Sequence, residues 1–128
     1  MQPQFTDKAK TALVLAEKAA RSLHQSYVGS EHLLLGLLRE DTGVAAAVLK
    51  KHGIEADKVK DMIKELIVPE SSVLIAERDG FSPRAQKILD EAHRQAERFK
   101  SEKIGTEHML LAILREGENV AVRLLEAM

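Results

Sequence analysis

The chain repeats itself. Residues 5–50 align with residues 81–126 at a constant offset of 76 positions, without a gap, and sixteen of the 46 aligned pairs are identical. The agreement is densest where "GSEHLLLGLLRE", which starts at Gly29, matches "GTEHMLLAILRE", which starts at Gly105. A gap-free match of this length indicates a tandem duplication. Two copies of one unit within 128 residues restrict the fold to two similar halves that share a core.

Both halves have the composition and spacing of packed helices. Hydrophobic residues make up 45% of the chain but aromatic residues only 3%, which favours helices over a sheet. Apolar residues recur at three- and four-residue steps in the first half, at Ala9, Ala12, Leu13, Ala16, Ala20 and Leu23. The second half repeats this stripe at Ala85, Ile88, Leu89, Ala92, Ala96 and Phe99. We therefore predict an all-α fold, a tandem pseudo-twofold repeat of four-helix units.

Hydroxyl residues mark the predicted helix starts. Thr6 and Ser82 precede the first helix of each half as N-caps, and Pro83 takes the first helical position, where its missing N–H is harmless. Ser30 and Thr106 are predicted to cap the second helices in the same way. The repeated phrase covers the start of each second helix. The run from 33 to 38 is apolar on every face, so we expect this part of the helix to be buried on all sides.

The remaining helices set the predicted boundaries. Third helices are expected at about 44–51 and 120–127, and a fourth follows in the first half over "GIEADKVKDMIKELI". This places repeat one at residues 5–67, a linker at 68–80 and repeat two at 81–128, within one domain spanning 1–128. We expect the second unit to lack its last helix. We expect a fragment of a longer protein, or a naturally short one, with an exposed apolar groove in the second half.

Composition argues against several classes of function. Nineteen basic and twenty acidic residues give a formal charge of −1, so no nucleic-acid partner is expected. The chain has no cysteine, signal-peptide pattern or apolar run approaching 18 residues, so we expect a cytoplasmic protein without a membrane partner. No G-x-S-x-G, G-x-x-x-x-G-K-[ST] or G-x-G-x-x-G motif is present, so neither catalysis nor a cofactor is predicted.

The repeated histidines are either metal ligands or part of the helix start. A zinc site on a helix needs H-E-x-x-H, but the fourth residue after His32 is Gly36 and the fourth after His108 is Ala112. This spacing favours a local hydrogen bond in the first helical turn, and no metal site is predicted. The charged residues of the first helix of each half, Arg84 and Lys8 among them, are interpreted mostly as a solvated face.

The repeated glutamates admit two roles. Glu31 and Glu107 would balance the helix dipole, worth about 0.3–1 kcal/mol, or they would line a pocket. A helix N-terminus favours an anion and a carboxylate beside it favours a cation. Such a pocket would suit a ligand that carries both signs on one compact group. The residues alone favour the dipole role.

The stretches "FTDKAKTALVLAEKAARSLHQSYVGSEHLLLGLLRE" and "FSPRAQKILDEAHRQAERFKSEKIGTEHMLLAILRE" strongly resemble the two Clp N-terminal repeats, as they occur in ClpC-type AAA+ unfoldases. The resemblance covers essentially the whole chain. It implies a non-catalytic domain that recruits MecA-like adaptors and unfolded or arginine-phosphorylated clients. The full-length protein would deliver these clients through the ClpC ATPase ring to a ClpP-type protease.

The resemblance also implies one phosphoarginine pocket per repeat. Glu31 and Glu107 match the glutamate that contacts the guanidinium, while Ser30, Thr106 and nearby backbone N–H groups would form the pocket wall and hold the phosphate. The phrase Gly117-Glu118-Asn119 departs from the family's usual Gly-Glu-Gly. A second class of function is an independent helical protein, either a regulator that docks onto Clp rings or an unrelated hydrolase. The hydrolase would need a cleft of coupled titratable groups, which the sequence does not offer.

Overall fold

The computed structural model describes residues 4–66 and 80–128. The helices are α1 (Asp7–Ser22), α2 (Ser30–Glu40), α3 (Val44–Lys51), α4 (Ala56–Leu66), α5 (Pro83–Arg98), α6 (Thr106–Glu116) and α7 (Val120–Glu126). Two short strands, β1 (Gln4–Phe5) and β2 (Lys103–Ile104), accompany them. The all-α prediction is confirmed. Residues 67–79 hold nearly all of the predicted linker 68–80 and lie outside the described residues, so the repeat boundaries stay a prediction.

The first helix of each half starts as its sequence predicts. Thr6 Oγ1 accepts a hydrogen bond from the Ala9 N–H, and Ser82 Oγ accepts one from the Ala85 N–H, both at 3.1 Å. Pro83 occupies the first turn of α5. The small residues of both stripes are buried, which lets the second helix of each half approach closely.

Helix α2 lies at the centre of the core. Its leucines are at most 2% exposed: Leu33, Leu34, Leu35, Leu37 and Leu38. Gly36 lies directly against α1, because a Cβ built there would be 2.9 Å from the Ala16 backbone nitrogen. The predicted burial on every side is confirmed, and a side chain at position 36 would force the two helices apart.

The predicted hydroxyl caps of α2 and α6 are wrong. Gly29 and Gly105, both in extended conformation, are the N-cap residues. Ser30 and Thr106 are the first helical residues instead, and their hydroxyls bond to the opposite half of the molecule. Local sequence favoured a hydroxyl cap, but contacts between distant segments decide where these side chains bond.

The first residues of each half pair through their backbone with the other half. Strand β1 pairs in parallel with β2, where Phe5 lies opposite Ile104 and the Thr6 N–H donates to the Ile104 carbonyl at 2.9 Å. The same pairing recurs with the halves reversed, between Phe81 and Val28. Both pairings fit the offset of 76, so the halves are related by a pseudo-twofold axis and interlock across it.

Two leucines are exposed in the second half, where the sequence predicts an apolar groove. In the first half α4 packs on α2, and Leu35 and Leu38 are 0% and 2% exposed. Their identical counterparts in α6, Leu111 and Leu114, are 40% and 50% exposed. No helix in the described part of the chain covers these two side chains as α4 covers their counterparts.

A polar cluster joins α5 to α6. The Glu91 carboxylate accepts hydrogen bonds from Gln95 Nε2 at 2.8 Å and Arg94 Nη1 at 2.9 Å, and Arg115 Nε lies 3.4 Å away. The bond from Gln95 is the main cause that holds the pKa of Glu91 below its ordinary value of 4.5; partial burial opposes it and the two arginines add to it. The equivalent residue in the first half is Leu15.

Candidate functional site

The repeated histidines hold the helix starts. Nδ1 of His32 accepts a hydrogen bond from the Gly29 N–H, and Nδ1 of His108 accepts one from the Gly105 N–H, both at 2.9 Å. The predicted local role is therefore confirmed. Residues 4–66 and 80–128 contain no cluster of three potential metal ligands. Among those same residues, no helix is long and apolar enough to cross a membrane.

The repeated hydroxyls join the halves. Ser30 Oγ accepts a hydrogen bond from the Ala121 N–H at 3.1 Å, at the start of α7. Thr106 Oγ1 accepts the equivalent bond from the Ala45 N–H at 3.3 Å, at the start of α3. Both N–H groups are buried, so either one would destabilise the fold if it lost its acceptor oxygen. The second helix of each half is thus fixed against the third helix of the other.

The repeated glutamates fold back over the N-cap glycines. A Cβ built on Gly29 would lie 3.0 Å from Cδ of Glu31, and one on Gly105 would lie 2.8 Å from Cδ of Glu107. Glycine therefore leaves the space that each carboxylate occupies. Glu31 is only 6% exposed, whereas Glu107 is half-buried. The two glutamates therefore have the same position relative to their N-cap glycines but differ in exposure to solvent.

Glu31 lines a cleft of about 460 Å³ where three helices begin. The starts of α2, α5 and α7 contribute its wall, so residues of both halves meet there. Its charged lining comprises Glu31, Arg84, Lys87, Glu118 and Arg123. We call this the Glu31 cleft. Two carboxylates, one of them the buried Glu31, and three cations therefore line one concave site.

Arg84 is held at the edge of this cleft by Glu116. Its Nη1 lies 2.7 Å from Oε2 of Glu116, whose other oxygen accepts a hydrogen bond from Nδ2 of Asn119 at 2.8 Å. Burial raises the pKa of Glu116, but the Asn119 bond and the charge of Arg84 outweigh it and hold that pKa below 4.5. Asn119 also caps α7 through Oδ1, which accepts from the Val122 N–H at 2.9 Å.

The pseudo-twofold axis places the starts of α6, α1 and α3 around Glu107. The Thr106–Ala45 bond fixes α3 there, and Lys8, the counterpart of Arg84, donates through Nζ to the Thr42 carbonyl at 3.2 Å. At the offset of 76 this region is the counterpart of the Glu31 cleft, and we refer to it on that basis as the Glu107 cleft. Ser30 and Glu31 lie at the Glu31 cleft and Thr106 and Glu107 at its counterpart, and their role in binding stays a prediction.

Sequence reasoning missed the cationic edge. Arg84 was interpreted as part of a solvated face, and Lys87 and Arg123 were not singled out, yet all three line the Glu31 cleft. The local sequence does not distinguish an exposed basic residue that lines a cleft from one on a solvated helix face. The crossed arrangement of the halves brings them opposite Glu31.

A family model described as the Clp repeat (R) N-terminal domain matches residues 4–128. Chloroplastic chaperone protein ClpC of Pisum sativum is 42% identical over 126 residues, which is 98% of this chain and 14% of that protein. Chloroplastic ClpC1 of Oryza sativa subsp. japonica is 41% identical over 128 residues, again 14% of its length. The chain therefore spans about one seventh of these relatives.

Solved structures show the same fold. The N-terminal domain of ClpD from Arabidopsis thaliana matches with a TM-score of 0.76 and 22% identity, covering 97% of this chain and 86% of that one. The N-domain of ClpV from Vibrio cholerae matches with a TM-score of 0.79 and 25% identity, covering 97% and 75%. The family match occupies nearly the whole chain, so the ATPase modules of Clp proteins are not part of it. The chain belongs to the Clp N-terminal repeat family and is a non-catalytic Clp N-domain.

Proposed function

We propose that this domain recruits client proteins and adaptors to a Clp ATPase ring, and that it recognises phosphoarginine on clients in the Glu31 and Glu107 clefts. The observation that carries this proposal is the combination of the buried Glu31 carboxylate with Arg84, Lys87 and Arg123 in one cleft. Phosphoarginine carries a cationic guanidinium directly bonded to an anionic phosphoryl group. A cleft that contains both positive and negative side chains complements the charges of phosphoarginine.

The glutamates would bind the guanidinium. A carboxylate accepts two parallel N–H bonds from a planar guanidinium, which fixes the orientation of the ligand as well as attracting it. The space at Gly29 accommodates the Glu31 carboxylate and the space at Gly105 accommodates that of Glu107, which supports this role. Burial of Glu31 strengthens its attraction for a cation, since less water screens the charge.

The phosphoryl group would lie toward the basic residues. Arg84 is oriented by Glu116 but retains further N–H donors on its guanidinium. Ser30 lines the same cleft. Its oxygen accepts the Ala121 N–H, which leaves the hydroxyl proton available to a phosphate oxygen. Thr106 has the same donor in the Glu107 cleft.

Recruitment of other proteins is supported by a relative. A solved complex of the ClpV N-domain with a VipB peptide matches this chain with a TM-score of 0.77 over 96% of its length. A domain of this fold therefore binds a peptide in that protein. For this chain, MecA-like adaptors, the ClpC ring and a ClpP-type protease are the proposed partners, and a cytoplasmic location stays a prediction. The chloroplastic ClpC relatives leave an organelle as the other location.

The test is a calorimetric and NMR titration of the 128-residue chain with phosphoarginine, with free arginine and inorganic phosphate as comparison ligands. Glu31→Gln and Glu107→Gln each remove one carboxylate charge without changing the shape of the side chain. Glu65→Gln, at an exposed position on α4 and outside the charged residues of both clefts, is the matched control. We expect saturable binding that each cleft variant reduces and the control preserves. A folded wild-type chain that does not bind phosphoarginine would refute tag recognition.

The alternative function is a stand-alone regulator that docks onto Clp rings. A recruiting domain acts when it is joined to the ring, whereas a regulator acts when it is added separately. Client degradation would be measured with a Clp ring lacking its own N-domains and a ClpP-type protease. Restored degradation only after fusion of this chain to the ring supports recruitment, and an equal effect of the separate chain supports the regulator.

A further inference from the structure

The two clefts differ in charge although their backbones are related by the same axis. In the Glu31 cleft, the basic residues are Arg84, Lys87 and Arg123. At the offset of 76 the residues in the corresponding positions of the other half are Lys8, Thr11 and Ala47. Two of three cations are therefore absent from the second site. The duplicated phrase is preserved, but the residues that face it from the other half have diverged.

The corresponding positions of the Glu107 cleft carry two carboxylates and two cations, whereas the Glu31 cleft has two carboxylates and three cations. Asp7 takes the place of Pro83, Thr42 takes that of Glu118, and Lys103 takes that of Tyr27. Lys8 reaches the Thr42 carbonyl. Nearby Glu40, the counterpart of Glu116, accepts hydrogen bonds from Thr42 and from the Gly43 N–H. In the part of the chain that the structure describes, Glu40 has no cation that neutralises it as Arg84 neutralises Glu116.

Two cations of the Glu31 cleft are uncommitted to other protein groups. Lys87 and Arg123 are both exposed, and within residues 4–66 and 80–128 neither forms an ion pair. They can therefore turn toward a bound anion without breaking an existing salt bridge. Each charge-assisted contact at an exposed edge of this kind contributes a few-fold in affinity, so two contacts together are worth on the order of tenfold.

We propose, on the basis of the proposed function, that the two clefts have different ligand preferences. The Glu31 cleft is the phosphate-selective site and binds phosphoarginine more tightly than it binds arginine. The Glu107 cleft relies on its carboxylates, binds the guanidinium, and discriminates weakly between the modified and unmodified residue. A client with a single phosphoarginine would therefore occupy the Glu31 cleft first.

The first experiment follows each cleft separately by NMR. The backbone amides of Gly29 and Gly105 report on the two sites during titrations with phosphoarginine and with arginine, at low and at physiological salt. We expect phosphoarginine to bind the Glu31 cleft about tenfold more tightly than the Glu107 cleft, with a steeper loss of affinity as salt is added. Arginine should show at most about a twofold difference between the clefts.

Reciprocal variants test the cause. Lys87→Thr with Arg123→Ala gives the Glu31 cleft the residues of its counterpart, and Thr11→Lys with Ala47→Arg does the reverse. All four positions are exposed, so the fold should persist. The first pair should lower the phosphoarginine affinity of the Glu31 cleft toward that of the other, and the second pair should raise the affinity of the Glu107 cleft.

The outcomes separate the two proposals. Equal phosphoarginine affinities at both clefts in the wild-type chain, or affinities that do not respond to the exchanged residues, would overturn the inference while leaving phosphoarginine recognition intact. Absence of binding at both clefts would overturn the proposed function itself. The inference is supported if phosphoarginine binds the wild-type Glu31 cleft more tightly than the Glu107 cleft. It also requires that Thr11→Lys with Ala47→Arg raises the affinity of the Glu107 cleft.

Discussion

The hydroxyl of Ser30 accepts a hydrogen bond from the backbone N–H of Ala121 at 3.1 Å, across 91 residues of sequence. The bond joins the start of α2 in one half to the start of α7 in the other. Thr106 and Ala45 form the equivalent bond in the opposite direction. Each half therefore supplies a capping hydroxyl to a helix of the other half. These two bonds fix the relative positions of the helix starts at the two clefts.

Ser30→Ala should destabilise the domain by about 1–2 kcal/mol, because the buried N–H of Ala121 loses its acceptor. Urea unfolding measures this loss, and amide hydrogen exchange should accelerate at Ala121 but not at Ala45. Thr11→Ala is the control, since its hydroxyl bonds to the Asp7 carbonyl on an exposed helix face. A loss for Ser30→Ala no larger than that of Thr11→Ala would contradict the prediction.

Gly36→Ala should destabilise the domain by about 1–3 kcal/mol, because the new Cβ would meet the Ala12 carbonyl and the Ala16 backbone. This loss exceeds the gain of about 1 kcal/mol expected from the better helix propensity of alanine. The counterpart exchange, Ala112→Gly, should also destabilise, through backbone entropy and a lost buried methyl group. A Gly36→Ala variant more stable to urea than the wild type would disprove the close approach of α1 and α2.

Gly29→Ala should weaken ligand binding while the fold persists. Its Cβ would displace the Glu31 carboxylate, which is the flexible end of a side chain, so the structural cost is about 0.5–1 kcal/mol. Binding at the Glu31 cleft should fall roughly tenfold, since the carboxylate leaves its position. Gly105→Ala should affect only the Glu107 cleft. Equal losses at both clefts from either variant would argue for general unfolding instead.

Acid should destabilise the domain through Glu91 and Glu116. Both have folded-state pKa values below 4.5, so their contribution is present above that pH and is lost as the pH falls through the lowered values. Glu91→Gln should be less stable than the wild type at pH 7, and the difference should shrink by pH 3, as followed by urea midpoints. A difference that is independent of pH would mean that the charge of Glu91 does not stabilise the α5–α6 contact.

Local sequence was sufficient for the helices and for part of the site. The spacing of Ala9, Ala16 and their counterparts predicted buried stripes, and Thr6 and Ser82 cap their helices as expected. The candidate glutamates Glu31 and Glu107 stand out because they recur with their neighbours in both halves. Repetition marks positions that one half alone would not distinguish from ordinary first-turn residues.

Contacts between the halves were beyond local sequence. A hydroxyl followed by glutamate looks the same whether it caps its own helix or, as with Ser30, one in the other half. Leu35 and Leu111 are identical residues in aligned positions, yet one is buried and the other 40% exposed. In each case the deciding partner is distant in sequence, and periodicity reports only which face of a helix is apolar.

The interlocked halves have a consequence for symmetry. Each cleft takes its glutamate from one half and its facing charges from the other, so a single repeat holds no complete cleft. Two identical copies of one repeat would rebuild both clefts only by joining about a twofold axis, and those clefts would then be identical. Carrying both copies on one polypeptide removes that constraint, because Lys87 can change without changing Thr11. Duplication thus allows one binding site to become two sites of different character.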